Sequence, residues 1–369
     1  MSKVMKVVLI VLLVIVLAVV GLGVYVLNSM RANAVETVEK PVDLVASEEP
    51  EEITVASDEP TPTPMPIYEE ESKVASIVNI MLIGTDSRTA AEVQDAEGRS
   101  DSMMLASIDT DTGKITLISF MRDARVHRIG KSGRFTFYNR LNGAYSSGYG
   151  GGGPGELINT INGNFKLDVQ EYISIGFDGF AAMIDQIGGL DVECDQAEIN
   201  FINDRIKGNF TNEPDIVRNA TPITADPGVL HLDGAQCLIY ARNRHTGFEG
   251  GDGNDFDRVS RQQEIIELVF NKIKTEMNEQ SVLALISFAT GYVSTNMSLD
   301  TMTELAKVLL TKEMAFSKYT FPEVGSYSYY VDEEGKKTDL LEFDLDAAAE
   351  KINALIYGDS FVPTPTPEA

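Results

Sequence analysis

The chain has 369 residues, with 30 lysines and arginines against 56 aspartates and glutamates, a formal net charge of −26. That balance excludes a general nucleic-acid binder, which needs a basic face to displace counterions from phosphate. A single long apolar run excludes a membrane-spanning bundle, and two cysteines exclude a disulfide scaffold.

The charge is unevenly spread. Residues 1–35 carry +3, residues 36–71 carry −11, and the remaining 298 residues carry −18. Val7 to Leu27 is an uncharged apolar run of 21 residues behind Lys3 and Lys6. As a helix it is about 31 Å long, close to a bilayer core of about 30 Å. The positive-inside bias makes residues 1–6 cytoplasmic, residues 7–27 a transmembrane helix, and everything beyond extracytoplasmic. A cleaved signal peptide is the alternative, since small residues such as Ala32 and Ala34 follow the run. Residues 28–72 are acidic, include Thr61-Pro62-Thr63-Pro64-Met65-Pro66, and read as a disordered tether. Residues 73–360 form the folded domain, and residues 361–369 a Pro/Thr tail.

Within the domain, Asn79–Gly84 reads as a buried strand, followed by a loop at Thr85-Asp86-Ser87-Arg88. Ser102–Ile108 is a second strand. Asp109-Thr110-Asp111-Thr112-Gly113 is a turn, and Lys114–Phe120 a third strand. The short turn makes strands two and three antiparallel. Asp101, before strand two, and Arg122, after strand three, then meet at one sheet end. Asp86 joins them if strand one is also antiparallel to strand two. Gly148–Gly155 lacks the Gly-Lys-Ser/Thr ending of a phosphate loop and reads as a flexible surface loop. Leu157–Phe165 and Phe177–Ile187 read as helices, the second stopped by Gly188-Gly189; Tyr172–Ile175 and Leu190–Val192 read as strands. Strands alternating with helices predict an α/β sandwich with a mixed sheet.

Cys237–Arg242 reads as a further apolar run, extended at its end, where Tyr240, Arg242 and Arg244 would alternate onto one face if extended. Asp257 is the expected N-cap of a helix to about Lys274. There Arg258, Arg261 and Gln262 share a face at i, i+3 and i+4, over a buried stripe of Ile265, Ile266, Val269, Phe270 and Ile273. With Arg122, these arginines are candidates for a cationic pocket, because the planar guanidinium binds phosphate oxygens in bidentate fashion. The plainer alternative is surface pairing with Asp255, Asp257 and Glu264. Asp86 and Asp101 are candidate ligands for a hard divalent cation; a turn residue and a strand-start cap are the alternatives. His127, His231 and His245 show no metal-ligand spacing. Cys194 and Cys237 are either a disulfide or two buried thiols.

NIMLIGTDSR (79–88), GRSDSMMLASID (98–109), ITLISFMRDARV (115–126), RLNGAYSSG (140–148), LHLDGAQCLIYARNRH (230–245) and DFDRVSRQQEII (255–266) together resemble the LytR-CpsA-Psr family. The resemblance implies an α/β/α sandwich with a central mixed sheet and a hydrophobic polyprenyl-binding groove. It implies a phosphotransferase that moves an anionic glycopolymer, of teichoic acid or capsular type, from a polyprenyl pyrophosphate onto peptidoglycan with Mg2+. Asp86 and Asp101 match the acidic metal and catalytic positions. Arg122 matches the arginine of a Pro-Arg-Asp element, although Met121 stands in the proline's place. Arg242, Arg244, Arg258 and Gln262 match head-group positions, with Arg242 and Arg244 also expected in catalysis. Arg88, Arg99 and Arg261 are expected neighbours in polyprenyl-phosphate binding. A non-catalytic polyprenyl-phosphate binder and a pyrophosphatase are the competing functions. Transcription regulation fits poorly with an acidic, extracytoplasmic chain that has no helix-turn-helix signature.

Overall fold

The computed structural model describes residues 76–130, 135–208, 213–248, 254–289 and 291–358. The expected transmembrane helix (7–27), tether (28–72) and tail (361–369) lie outside the described residues. Among the described residues, no helix is long and apolar enough to cross a membrane.

In chain order the elements are β1 (Ile77–Thr85), α1 (Ala90–Gln94), β2 (Ser100–Asp109), β3 (Lys114–Phe120), β4 (Arg125–Ile129), β5 (Phe135–Arg140), α2 (Gly153–Phe165), β6 (Glu171–Ile175), α3 (Phe177–Gln186), β7 (Leu190–Cys194), α4 (Gln196–Ile206), α5 (Asp215–Arg218) and β8 (Gly228–Leu232). Then follow α6 (Gly234–Ala241), α7 (Asp255–Glu276), α8 (Glu279–Ala289), β9 (Val293–Thr295), α9 (Leu299–Thr311), β10 (Ala315–Phe321), β11 (Ser328–Val331), β12 (Lys337–Glu342) and α10 (Leu345–Tyr357).

Six strands form one mixed sheet in the order β10-β3-β2-β1-β6-β9. β2 and β3 are antiparallel, as expected, and β1 is antiparallel to β2 as well, while β6 joins β1 and β10 joins β3 in parallel. The period-2 geometry of a strand sends neighbouring residues to opposite faces. Met81, Ile83, Met103 and Leu105 therefore point to one side, where they pack with Leu157, Ile158 and Ile161 of α2 and Ile352 of α10. Ile80, Met104, Ala106 and Ile108 point to the other side, toward Leu305 of α9 and Ile266 and Phe270 of α7. A fully buried side chain of the size of Met81 or Leu105 contributes about 1.5–3 kcal/mol. The architecture is the expected α/β one.

Three local expectations are corrected. Cys237–Arg242 is not extended: it lies in and just beyond α6, whose N-terminus is closed by a capping box of Asp233 and Gln236. Gly234 lets α6 lie directly against α3, since a Cβ there would sit 2.0 Å from the Ala181 carbonyl oxygen. The N-cap of α7 is Asn254, with Asp257 at N3 completing its capping box. The glycine-rich run is only partly loop: Gly153–Gly155 form the first turn of α2, and the Gly151 N–H donates to the Ser146 carbonyl at 2.7 Å. β7 is a strand as predicted, but it pairs with β8 in a separate two-stranded sheet.

Candidate active site

Strand register brings the first pair together. Met104 opposes Ser119; continuing that register three residues sets Asp101 opposite Arg122. Asp101 is the second residue of β2 rather than a residue before it. Arg122 Nη1 donates to Asp101 Oδ1 at 2.9 Å. Arg122 Nε also lies 3.4 Å from Asp123 and 3.8 Å from Asp255. Burial works to lower the Arg122 pKa, but Asp101, Asp255 and Asp123 outweigh it and the net direction is up.

The first turn of α7 adds Arg258. Its Nη2 donates to Asp255 Oδ2 at 3.0 Å and to the Asp101 carbonyl at 3.2 Å. Burial, with Arg122 and Arg244 nearby, pushes its pKa down despite Asp255 and Asp101. Arginine stays charged regardless. The site therefore holds a desolvated cation that its neighbours only partly compensate. Nε of Arg122 and Nε of Arg258 are buried donors with no hydrogen-bond partner among the described residues.

Arg242 is the C-cap of α6, and its Nη1 donates to Glu213 Oε2 at 2.8 Å. Its guanidinium carbon lies 4.4 Å from the centre of the Phe177 ring. Glu213 is 2% exposed and also accepts from Arg205 Nη1. Sequence reasoning missed both Arg205 and Glu213: one lies late in a helix, the other in a connecting segment, and neither carries a motif. Arg244 is exposed and has no ion-pair partner among the described residues.

These groups ring the mouth of a cavity of about 950 Å3. Arg99, Asp101, Arg122, Arg205, Arg242, Arg244, Arg258 and Gln262 all line it. Its body is aliphatic and aromatic: Ile80, Met104 and Ile108 from the sheet, Phe180 and Ile184 from α3, Ile266, Val269 and Phe270 from α7, Leu285 from α8 and Leu305 from α9. Only one face of α7 is thereby explained as core; the stripe predicted as buried is also a cavity wall.

Three expected site residues fall elsewhere. Arg261 does not reach the mouth. It is fully buried and donates to Glu198 Oε1 from Nε and Nη2 at 3.0 and 2.7 Å, and to the Asn243 and Gly247 carbonyls at 3.1 and 2.6 Å. Arg88 is exposed and outside the cavity lining; its backbone N–H donates to Glu92 at 2.6 Å. Asp86 is also not a lining residue; it accepts from the Arg99 N–H at 2.7 Å and lies 3.4 Å from Arg99 Nε, so it supports a residue that does line the mouth.

Among the described residues no group of three or more His, Cys, Asp or Glu side chains is placed to hold a metal. The acids at this sheet end offer oxygen alone, the donor type that Mg2+ takes, and Oδ1 of Asp255 is buried without a hydrogen-bond partner among the described residues. Such a donor set suits an ion that completes its shell with phosphate and water, rather than one caged by protein. Cys194 and Cys237 are both buried free thiols, so no disulfide joins them.

The LytR_cpsA_psr family model matches residues 34–344. The chain belongs to the LytR-CpsA-Psr family. A polyisoprenyl-teichoic acid–peptidoglycan teichoic acid transferase, TagV of Bacillus subtilis (strain 168), is 28% identical over 201 residues, 54% of this chain and 45% of its own length. The alignments with this and the next relatives span 45–63% of their lengths. Protein gbs0355 of Streptococcus agalactiae superposes with a TM-score of 0.59 at 24% identity, over 76% of this chain and 88% of its own. The LytR-CPS2A-psr family protein YwtF (TagT), solved with bound octaprenyl pyrophosphate lipid, superposes with a TM-score of 0.51 at 17% identity, over 77% of this chain and 92% of its own. These two likenesses establish the shared LytR-CpsA-Psr fold.

Proposed function

We propose that the chain is a phosphotransferase that moves an anionic glycopolymer from a polyprenyl pyrophosphate carrier onto peptidoglycan. The observation that carries this reading is the cavity: a long aliphatic interior opening at a mouth lined by six guanidinium groups. An isoprenoid tail matches the interior and a diphosphate the mouth. The bound lipid in one relative's structure and the transferase name of another support the same reading.

In this mechanism Arg122, Arg242, Arg244 and Arg258 hold the diphosphate oxygens, with Gln262 beside them. The acceptor sugar hydroxyl attacks the phosphorus that carries the glycopolymer. A P–O bond to the acceptor forms, the P–O bond to the bridging oxygen breaks, and polyprenyl phosphate leaves. Asp86 or Asp101 accepts the hydroxyl proton. The guanidiniums of Arg122, Arg258 and Arg242 are already fixed by Asp101, Asp255 and Glu213. They therefore stabilise the developing charge without reorganising. A Mg2+ ion held by Asp86 and Asp101 would supply Lewis-acid neutralisation of the phosphate oxygens. The expected N-terminal helix would keep the domain beside its lipid on the outer membrane face, and the tether would let it reach the wall.

Transfer of a labelled glycopolymer from a prenyl pyrophosphate donor to peptidoglycan tests the reading. Arg242→Ala and Asp101→Ala are each expected to lower turnover by about 10²–10³-fold. Full activity in both variants would refute the assignment. Release of free polymer phosphate without transfer would instead identify a pyrophosphatase, and lipid binding without turnover a carrier protein.

A further inference from the structure

An aromatic row leads away from the site on the side that the cavity does not use. Phe256, in the first turn of α7, stacks on Tyr327 with ring centroids 5.7 Å apart and planes inclined by 19°. Tyr327 meets Tyr329 edge-on at 6.0 Å. The Lys337 ammonium, across the β11–β12 hairpin, lies 4.2 Å from the centre of the Tyr329 ring.

The row is continuous with the mouth. Phe256 follows Asp255, which pairs with Arg258. Phe256 and Tyr327 pack on Met121, Val259 and Leu341, and Met121 immediately precedes Arg122. The Leu341 N–H donates to the Asp123 carbonyl at 2.8 Å, so the hairpin is tied to the segment that carries Arg122. At its far end the row is open, with Tyr329 43% exposed. None of the three rings lines the apolar cavity.

The two surfaces call for different chemistry. A flexible isoprenoid needs an enclosed aliphatic channel. Tyr329, exposed, and Tyr327, half-buried, offer an apolar ring face with a polar rim. A pyranose has the same pattern: a C–H face and a rim of hydroxyl and acetamido groups. A row of rings that starts at the mouth and opens to solvent at Tyr329 offers such a ring a stacking surface, and the proposed transfer needs a sugar hydroxyl delivered beside Arg122.

We propose that the Phe256–Tyr327–Tyr329 row is the seat of the acceptor glycan, with N-acetylated pyranose rings stacked on Tyr327 and Tyr329 and an acidic substituent beside Lys337. This rests on the transferase reading above, and its test is read separately. The chain contains no tryptophan, so Tyr329→Trp installs a single reporter. Its emission is expected to change on titration with soluble, uncross-linked peptidoglycan glycan strands in the absence of lipid. Tyr329→Ala is expected to weaken binding of the same strands about tenfold, about 1.4 kcal/mol, with unchanged thermal melting and unchanged affinity for farnesyl pyrophosphate. A chain that binds farnesyl pyrophosphate but shows neither an emission change nor an effect of Tyr329→Ala on glycan affinity would overturn the seat alone. A chain that binds the strands through Tyr329 but no prenyl pyrophosphate would support the seat and overturn the lipid reading.

Discussion

Replacing Arg261 by methionine separates a folding role from a ligand role. The guanidinium joins three segments: α7, which carries it; α4, through Glu198; and the stretch after α6, through Asn243, Thr246 and Gly247. Arg261 is 0% exposed and Glu198 5%. Methionine preserves much of the volume but leaves Glu198 buried without its cation. Breaking a buried pair on one side costs about 3–5 kcal/mol, a fifth or more of the roughly 5–15 kcal/mol that holds a typical domain folded. At about 2–4 °C per kcal/mol for a domain of this size, the midpoint should fall by roughly 6–20 °C. Thermal melting by circular dichroism measures this. Pairing the change with Glu198→Leu should recover most of the loss, because two apolar groups replace a buried ion pair at little net cost. About 1 kcal/mol should remain lost, since Glu198 also closes the capping box of α4 with Asp195. An unchanged midpoint with lost prenyl pyrophosphate binding would refute this reasoning and return Arg261 to the head-group site.

Two further outcomes follow from the same contacts. Glu213→Ala should leave Arg205 and Arg242 without the carboxylate that holds both, weakening prenyl pyrophosphate binding about tenfold; isothermal titration measures this, and unchanged affinity would show that Glu213 does not position them. Burial raises the Cys194 thiol from 9.0 to about 12 and the Cys237 thiol also upward. Both should resist iodoacetamide at pH 8 in the folded chain and react once it is unfolded; rapid labelling of the native protein would contradict the burial. Because the folded values lie above the unfolded one, their contribution to stability is complete below about pH 9 and is lost as pH rises toward 12 and beyond.

The central strands were legible because their signals are local. β1, β2 and β3 are apolar runs bounded by Gly84-Thr85, Asp109–Gly113 and Arg122-Asp123, and the short turn between the last two fixes their direction. The same logic placed Asp101 against Arg122. α6 was misread because Cys237–Ala241 is too short for periodicity to distinguish strand from helix. The Asp233/Gln236 capping box was the signal that decides it. β10 pairs with β3 across about 200 residues, a contact that no local pattern encodes. On α7, successive residues turn by about 100°. Arg258 and Gln262 thus face the mouth together, while Arg261 is rotated away toward α4. Residues three and four apart are neighbours, but not at the edge of a face where each neighbour meets a different partner.

The charge of the mouth differs from that of the chain. Six guanidiniums line it: Arg99, Arg122, Arg205, Arg242, Arg244 and Arg258. Five carboxylates touch five of them: Asp86 at Arg99, Asp101, Asp123 and Asp255 around Arg122 and Arg258, and Glu213 between Arg205 and Arg242. The mouth is thus close to neutral in a domain of −18. Near-neutrality follows from burial, because uncompensated guanidiniums would not tolerate desolvation together. It also sets a condition on the proposed substrate. A diphosphate entering this mouth brings more negative charge than the single excess cation offsets. Because the carboxylates stay on the guanidiniums they position, binding then requires that a further cation enter with the phosphates. This electrostatic deficit is the physical ground for proposing Mg2+ at Asp86 and Asp101, where the resident anions already lie.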